Sequence, residues 1–309
     1  MTRVSSNSIQ QSTIESIARA QEKMASLQLQ LATGKKASTY RDLGADTTKV
    51  LTARTALDRT QAFQGASKQL TNTLNLYDIK FGQLNTLGDN LKSELAKKSD
   101  GSSASLQTAV EQAFTEFRSI LLSDDAGFSM FSPPKGAGEA FKLTTLTDAA
   151  LLAGETNDQA DDRAFGTSTG KNSALVAEGV PMAYGADART TGSQMLAVFR
   201  SIANQLPLSS PLTSAQSSAI DAAVSQINQA QLGINALTSE NGANVKRLQD
   251  IDDLANRRTE TLNQIVSSFE DANIPEVASK ISQQKSLLES SYALFSQLSG
   301  LSLVNYLRN

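Results

Sequence analysis

The residues whose types best suit chemistry are three adjacent carboxylate pairs, Asp124 with Asp125, Asp161 with Asp162 and Asp252 with Asp253. Paired acids can share a proton for general acid/base work or hold a hard cation. No further ligand pattern accompanies any of the three, so they read as solvated charge on loops and helix faces. Gly34, Lys35, Lys36 and Ala37 have the basic, glycine-led look of a phosphate loop. They lack the glycine that should come earlier and the Ser or Thr directly after the lysines, so phosphate binding is not expected. Gly136, Ala137 and Gly138 are a loop, without the strand and helix context of a dinucleotide fingerprint. The 309-residue chain has no His and no Cys. That removes the commonest general base, the commonest metal ligand and the thiol nucleophile together. The expectation is a protein that is not an enzyme and takes no cofactor and no metal.

Composition narrows the class further. The chain is 39% hydrophobic but only 5% aromatic, with no Trp, which argues against one large, thick core and for long helices with thin Ala, Leu, Ile and Gln seams. A formal charge of -3 recruits neither nucleic acid nor an anionic membrane. There is no run of eighteen apolar residues and no apolar segment in the opening MTRVSSNSIQQSTIES, so neither membrane insertion nor a secretory signal peptide is expected. The lack of Cys leaves the redox compartment open.

Helical periodicity organises the rest. At the C-terminal end Ile274, Ile281, Leu288 and Phe295 recur every seven residues, Leu287, Leu294 and Leu301 form an adjoining stripe, and Val277 and Leu298 fill between them. Pro275 and Glu276 suit the first turn of that helix. At the other end Ile9, Thr13, Ile17, Ala20, Met24, Leu27 and Leu31 make a weaker stripe that Gly34 can stop. Lys35 and Lys36 then complement the negative end of the helix dipole. A long helix is expected from Asp46 to about Lys97, clearest at Leu70, Leu74, Tyr77, Phe81, Leu84, Leu91 and Leu95, with Gly88 costing it about 1 kcal/mol. Another follows through Leu106, Val110, Phe114, Phe117 and Leu121, and a helix around Ser193 to Gln205 leads to a second very long one capped by Thr213. Between Ser123 and Thr191 the texture turns to Gly, Pro, Asp, Ser and Thr, read as turns and short strands, with strand pieces at 174–180 and 181–184.

The expected fold class is mainly α: a long antiparallel helical rod with a small β and loop insert at its tip and terminal helices that depend on assembly. Its divisions are 1–44 (terminal helix and irregular connector), 45–122 and 192–272 (the two halves of the rod), 123–191 (insert) and 273–309 (C-terminal helix). The terminal stripes have little chain left to cover them, which marks Ile9, Ile17, Met24, Leu27, Leu31, Ile281, Leu288, Phe295, Leu298 and Leu301 as a self-assembly interface.

Two stretches carry a family resemblance. LQLATGKKASTYRDLGAD at 29–46, and SSFEDANIPEVASKISQQKSLLESSYALFSQLSGLSLVNYLRN at 267–309 with Glu270, Asp271, Ala272, Glu276, Ser279, Leu287 and Leu288, are similar to the two ends of the bacterial flagellin family. That family includes filament flagellins and hook-filament junction proteins (hook-associated protein 3). The turn at 41–44 departs from it, reading Arg-Asp-Leu-Gly where the family has an Asp pair. The resemblance implies a structural, self-assembling subunit secreted through the flagellar type III channel. It implies partners in copies of itself, other flagellar axial proteins and an export chaperone, and an extracellular place on the flagellum. A flagellin-like filament subunit is the first reading. The ending LSLVNYLRN and AYGADA at 183–188 resemble the junction branch, which is the alternative. A binding or hydrolytic activity carried by the insert is a distant third.

Overall fold

Heptad spacing in long, Gly- and Pro-poor stretches folds here as long helices. The computed structural model describes residues 2–99, 103–125, 127–132 and 139–307, and the side chains of all of these except 2–7, 9, 10, 99, 128 and 298–307. The helices are α1 (Thr2–Thr33), α2 (Thr47–Ala96), α3 (Ser103–Leu121), α4 (Leu146–Ala150), α5 (Asn157–Phe165), α6 (Ala188–Ala203), α7 (Ser214–Glu270) and α8 (Ile274–Leu307). Two antiparallel ribbons accompany them, β1 (Asp124–Asp125) with β2 (Phe128–Ser129) and β3 (Asn172–Ala177) with β4 (Val180–Tyr184). The chain divides into two units, one of residues up to 59 and from 257 on, the other of residues 60–256.

In the unit of residues 60–256, α2 and α7 run antiparallel. Asn241 Nδ2 donates to the Leu74 carbonyl at 2.8 Å, Asn85 to Asn235 at 2.9 Å, and Lys98 to Asp221 at 2.5 Å. The seven-residue stripe of α2 is buried as its spacing requires, with Leu87 added to it, and it faces Ile220, Ile227 and Ile234 of α7. Thr213 and Gln216 cap α7 reciprocally. The scarcity of aromatic residues misled on one point. Rather than being thinly spread, most of the phenylalanines gather in one core, where Phe114, Phe117, Phe141, Phe165 and Phe199 stack through centroid separations of 5.2–6.0 Å.

The stretch expected to be strands and turns holds two helices as well. Thr145 with Asp148 opens α4 and Thr156 with Gln159 opens α5, each by a reciprocal capping box. Phe141, Leu146, Leu152 and Phe165 from this stretch are buried in the same core as α3 and α6, so residues 123–191 share a core with the helices on either side. The hairpin turns at Glu178 and Gly179, two residues before the expected break, because Gly179 supplies the left-handed φ of +70° that the turn needs. Val176 and Met182 then pack on Leu70, Leu74 and Leu248.

Two glycines have packing reasons. A Cβ on Gly88 would lie 3.0–3.2 Å from Gln231 and Ile227, so its helix cost accompanies a close approach of α2 and α7. Gly185 combines a φ of +74° with the buried Tyr77 ring, whose Oη would sit 2.6 Å from an added Cβ. That hydroxyl donates to the Met130 carbonyl, and burial raises its pKa well above the ordinary phenol value. Gly185→Ala is therefore expected to lose about 2 kcal/mol or more of stability, from left-handed strain plus overpacking. A lowered urea midpoint checks this, and an unchanged one would contradict it.

Candidate assembly surface

In the other unit, polar and apolar contacts divide the work. The connector after α1, expected to be irregular, forms a 3-10 turn at Tyr40–Asp46 with a kink at Gly44. Just before it, Gly34 and Lys36 pair by backbone with the end of α7: Ala272 N donates to Gly34 O at 2.8 Å and Lys36 N to Glu270 O at 2.7 Å. Glu270 takes a bidentate pair from Arg54 on α2, at 2.9 and 2.7 Å, and Lys35 binds Asp271 at 2.6 Å. Lys36 Nζ donates to the Ser268 carbonyl at 2.5 Å. The two lysines thus neutralise the C-terminal end of α7, where the sequence assigned them to the end of α1. Charges meeting across three segments give Lys35, Lys36, Glu270 and Asp271 a structural role.

Arg54, followed by Lys35, holds the Glu270 carboxyl below its ordinary pKa. A depressed folded-state pKa contributes stability above the unfolded value, lost as pH falls through the folded one. Acidification below about pH 5 should loosen this junction in the native chain, and Glu270→Gln should show the loosening already at neutral pH. Hydrogen exchange of residues 34–36 and 270–272 reads both, and protection independent of pH and of the substitution would contradict them.

From this junction α1 and α8 run antiparallel and pack together. Gln284 Nε2 donates to Ala20 O at 3.1 Å and Gln21 Nε2 to Tyr292 Oη at 2.6 Å. The seam on α8 is Val277, Ile281, Gln284, Leu288, Ser291 and Phe295, alternating steps of four and three. On α1 it is Thr13, Ile17, Ala20, Met24 and Leu27. Other apolar side chains of the two helices, set on more than one face, remain exposed among the described residues. Ile14, Leu29 and Leu31 of α1, with Ile274, Leu287, Tyr292 and Leu294 of α8, are 40–57% exposed.

The expected interface residues therefore separate into two sets. Ile17, Met24, Leu27, Ile281, Leu288 and Phe295 face the α1–α8 seam, whereas Leu31, on the same row as Ile17 and Met24 but near the end of α1, is 43% exposed. The side chains of Ile9, Leu298 and Leu301 lie outside the described residues. Sequence reasoning left Ile14, Leu29 and Tyr292 out of the surface altogether, because none of them falls on the repeating rows of apolar residues.

The carboxylate pairs are scattered. Asp124 and Asp125 lie in β1, Asp161 is bonded to Ser193, Asp162 pairs with Arg189, and Asp252 accepts from Asn256. Among the described residues no cluster of acids could hold a metal ion, and no helix is long and apolar enough to cross a membrane.

No protein-family model and no curated protein matches the chain. Solved structures do. A Vibrio parahaemolyticus protein assigned as a flagellar hook-associated protein superposes with a TM-score of 0.59 at 12% identity, over 73% of this chain and 97% of that one. FlgL of Bacillus cereus superposes with a TM-score of 0.54 at 9% identity, over 71% of this chain and 98% of that one. At such identities the likeness establishes a shared fold: mainly α, built on long helices, with a small antiparallel sheet.

Proposed function

We propose that the chain is a structural, non-enzymatic subunit of the bacterial flagellum, working outside the cell at the hook-filament junction. The observation that carries this reading is the exposed apolar surface of the paired terminal helices α1 and α8, chiefly Leu287 and Leu294, seven residues apart on one face of α8. Exposed leucines that repeat along one helix face suit contact with other subunits. Copies of this chain and neighbouring axial proteins are the partners, delivered unfolded by the export apparatus with its chaperone. In this reading 1–44 and 273–309 are the assembly segments, 45–122 and 192–272 the helical scaffold, and 123–191 the insert.

The junction place is favoured over the filament because one of the solved structures compared above, the Vibrio protein, carries a hook-associated name, and the superposition takes in nearly all of it. The endings LSLVNYLRN and AYGADA agree with it. Fluorescent labelling of the protein on motile cells tests the choice. A single spot where hook meets filament is expected. Label along the whole filament would make it a filament subunit instead, and no flagellar label would overturn both. An activity confined to the insert has less support, because many of the insert's buried apolar side chains, Phe141, Leu146, Leu152 and Phe165 among them, belong to the common core.

A further inference from the structure

A ribbon of two strands has two outer edges, and those of β3 and β4 are finished differently. Pro181 stands opposite Leu175 and has no N–H, so the ladder bonds fall on the neighbouring pairs and the backbone of Pro181 and Ala183 turns outward. Asn244 Nδ2 on α7 donates to the Ala183 carbonyl at 3.4 Å, which agrees with that phase. The β4 edge is therefore closed, by a missing donor and a side-chain amide. By the same alternation the outward groups of β3 are the N–H and C=O of Ser173 and Leu175. Both residues are exposed, and among the described residues neither makes a hydrogen bond outside the ribbon.

Open edges are commonly blunted by charge or proline. β3 reads Asn-Ser-Ala-Leu-Val-Ala and carries neither. From these groups we infer that β3 pairs antiparallel with β3 of a second copy of the chain, joining two ribbons into one four-stranded sheet. The outward groups set the register. Ser173 of each copy lies opposite Leu175 of the other, which satisfies all of these donors and acceptors, and Ala174 meets itself on the two-fold axis. A methyl group suits that central place, where the Cα atoms of a non-hydrogen-bonded pair stand about 4.5 Å apart.

Charge selects the direction and the occupant. Lys171 precedes the strand and Glu178 follows it, both exposed. Antiparallel pairing of two copies brings Lys171 of each towards Glu178 of the other, beside the Glu240 that Lys171 already meets within its own chain. Parallel pairing would instead gather like charges. No charge is buried between these ends, and Leu175, 57% exposed next to Pro181, gains a neighbour across the new edge. A lone hairpin is marginal, so the added strands also steady the ribbon itself.

This surface is separate from α1 and α8, and its test reads single positions, so it stands or falls apart from the axial role. The chain has no Cys, so single cysteines placed in the full chain report pairing as disulfide-linked dimer on non-reducing gels after mild oxidation. Ala174→Cys is expected to link, because its two copies meet on the axis. Ser173→Cys, two residues out of step with its own copy and beyond the roughly 7 Å that a disulfide bridges, should link at least about tenfold more slowly. Leu151→Cys, exposed elsewhere in the unit, should be as slow. Added to Ala174→Cys, either Leu175→Lys or Lys171→Glu should slow linkage about tenfold with unchanged circular dichroism. Combining Lys171→Glu with Glu178→Lys should restore it. Linkage of Ala174→Cys no faster than that of the two controls overturns the inference, as does undiminished linkage with Leu175→Lys. Failure of the charge exchange to restore linkage overturns the antiparallel pairing on which it rests.

Discussion

Phe199→Ala is expected to destabilise the unit of residues 60–256 by about 3–5 kcal/mol. Phe199 is fully buried, stands edge-on to Phe114 at 5.3 Å and is tilted against Phe117 at 5.4 Å, so truncation removes the ring on which α3 and α6 meet. Both neighbouring rings are held on α3, which limits how far they can collapse into the gap. Against a typical total of about 5–15 kcal/mol this is a large fraction, and the urea midpoint should fall steeply with little change of slope. Leu151→Ala is the contrast. Leu151 is 72% exposed, and its loss should stay within about 0.5 kcal/mol. Equal effects of the two changes would mean that the aromatic cluster does not organise this core.

Long helices were legible because their signal is repeated: α2 shows the same stripe through Leu70, Tyr77, Leu84 and Leu91, and tertiary packing only had to agree with it. Short elements have no such redundancy. α4 and α5 span 5 and 9 residues, too few for a period to emerge, and their capping boxes are written in the same Thr, Asp and Gln that mark loops. The turn at Gly179 was missed for a similar reason: apolar residues run through both strands, so only a glycine with positive φ marks the reversal.

The assembly surface was half legible. Periodicity told that α1 and α8 each bury a stripe, but it could not tell which neighbour buries it. The structure gives Ile281, Leu288 and Phe295 to α1 and leaves Leu287 and Leu294 uncovered. The junction of Lys35, Lys36, Arg54, Glu270 and Asp271 was out of reach in a different way. Its charges are distant in sequence, with Arg54 and Glu270 separated by 216 positions, and no local rule pairs residues so far apart.

Leu287→Ser combined with Leu294→Ser is expected to abolish incorporation into the flagellum while leaving the isolated chain folded. Both side chains are more than half exposed, at 54% and 57%, and lie off the α1–α8 seam. Their loss should change the stability of the free protein by no more than about 0.5 kcal/mol each. In an assembly that covers them, each is worth about 1.5–3 kcal/mol. Together that weakens every subunit contact by roughly 3–6 kcal/mol, a hundredfold or more in the association constant. Ile281→Ser with Phe295→Ser should behave differently. Those side chains face α1, so the change should loosen the terminal helices themselves, seen as faster proteolysis of both chain ends before any assembly is attempted. Circular dichroism, proteolysis and recovery of the protein with purified flagella separate the two outcomes. If the Leu287 and Leu294 double variant is incorporated as well as the native chain, that exposed face of α8 is not the contact surface, and the observation that carries the proposed function is lost.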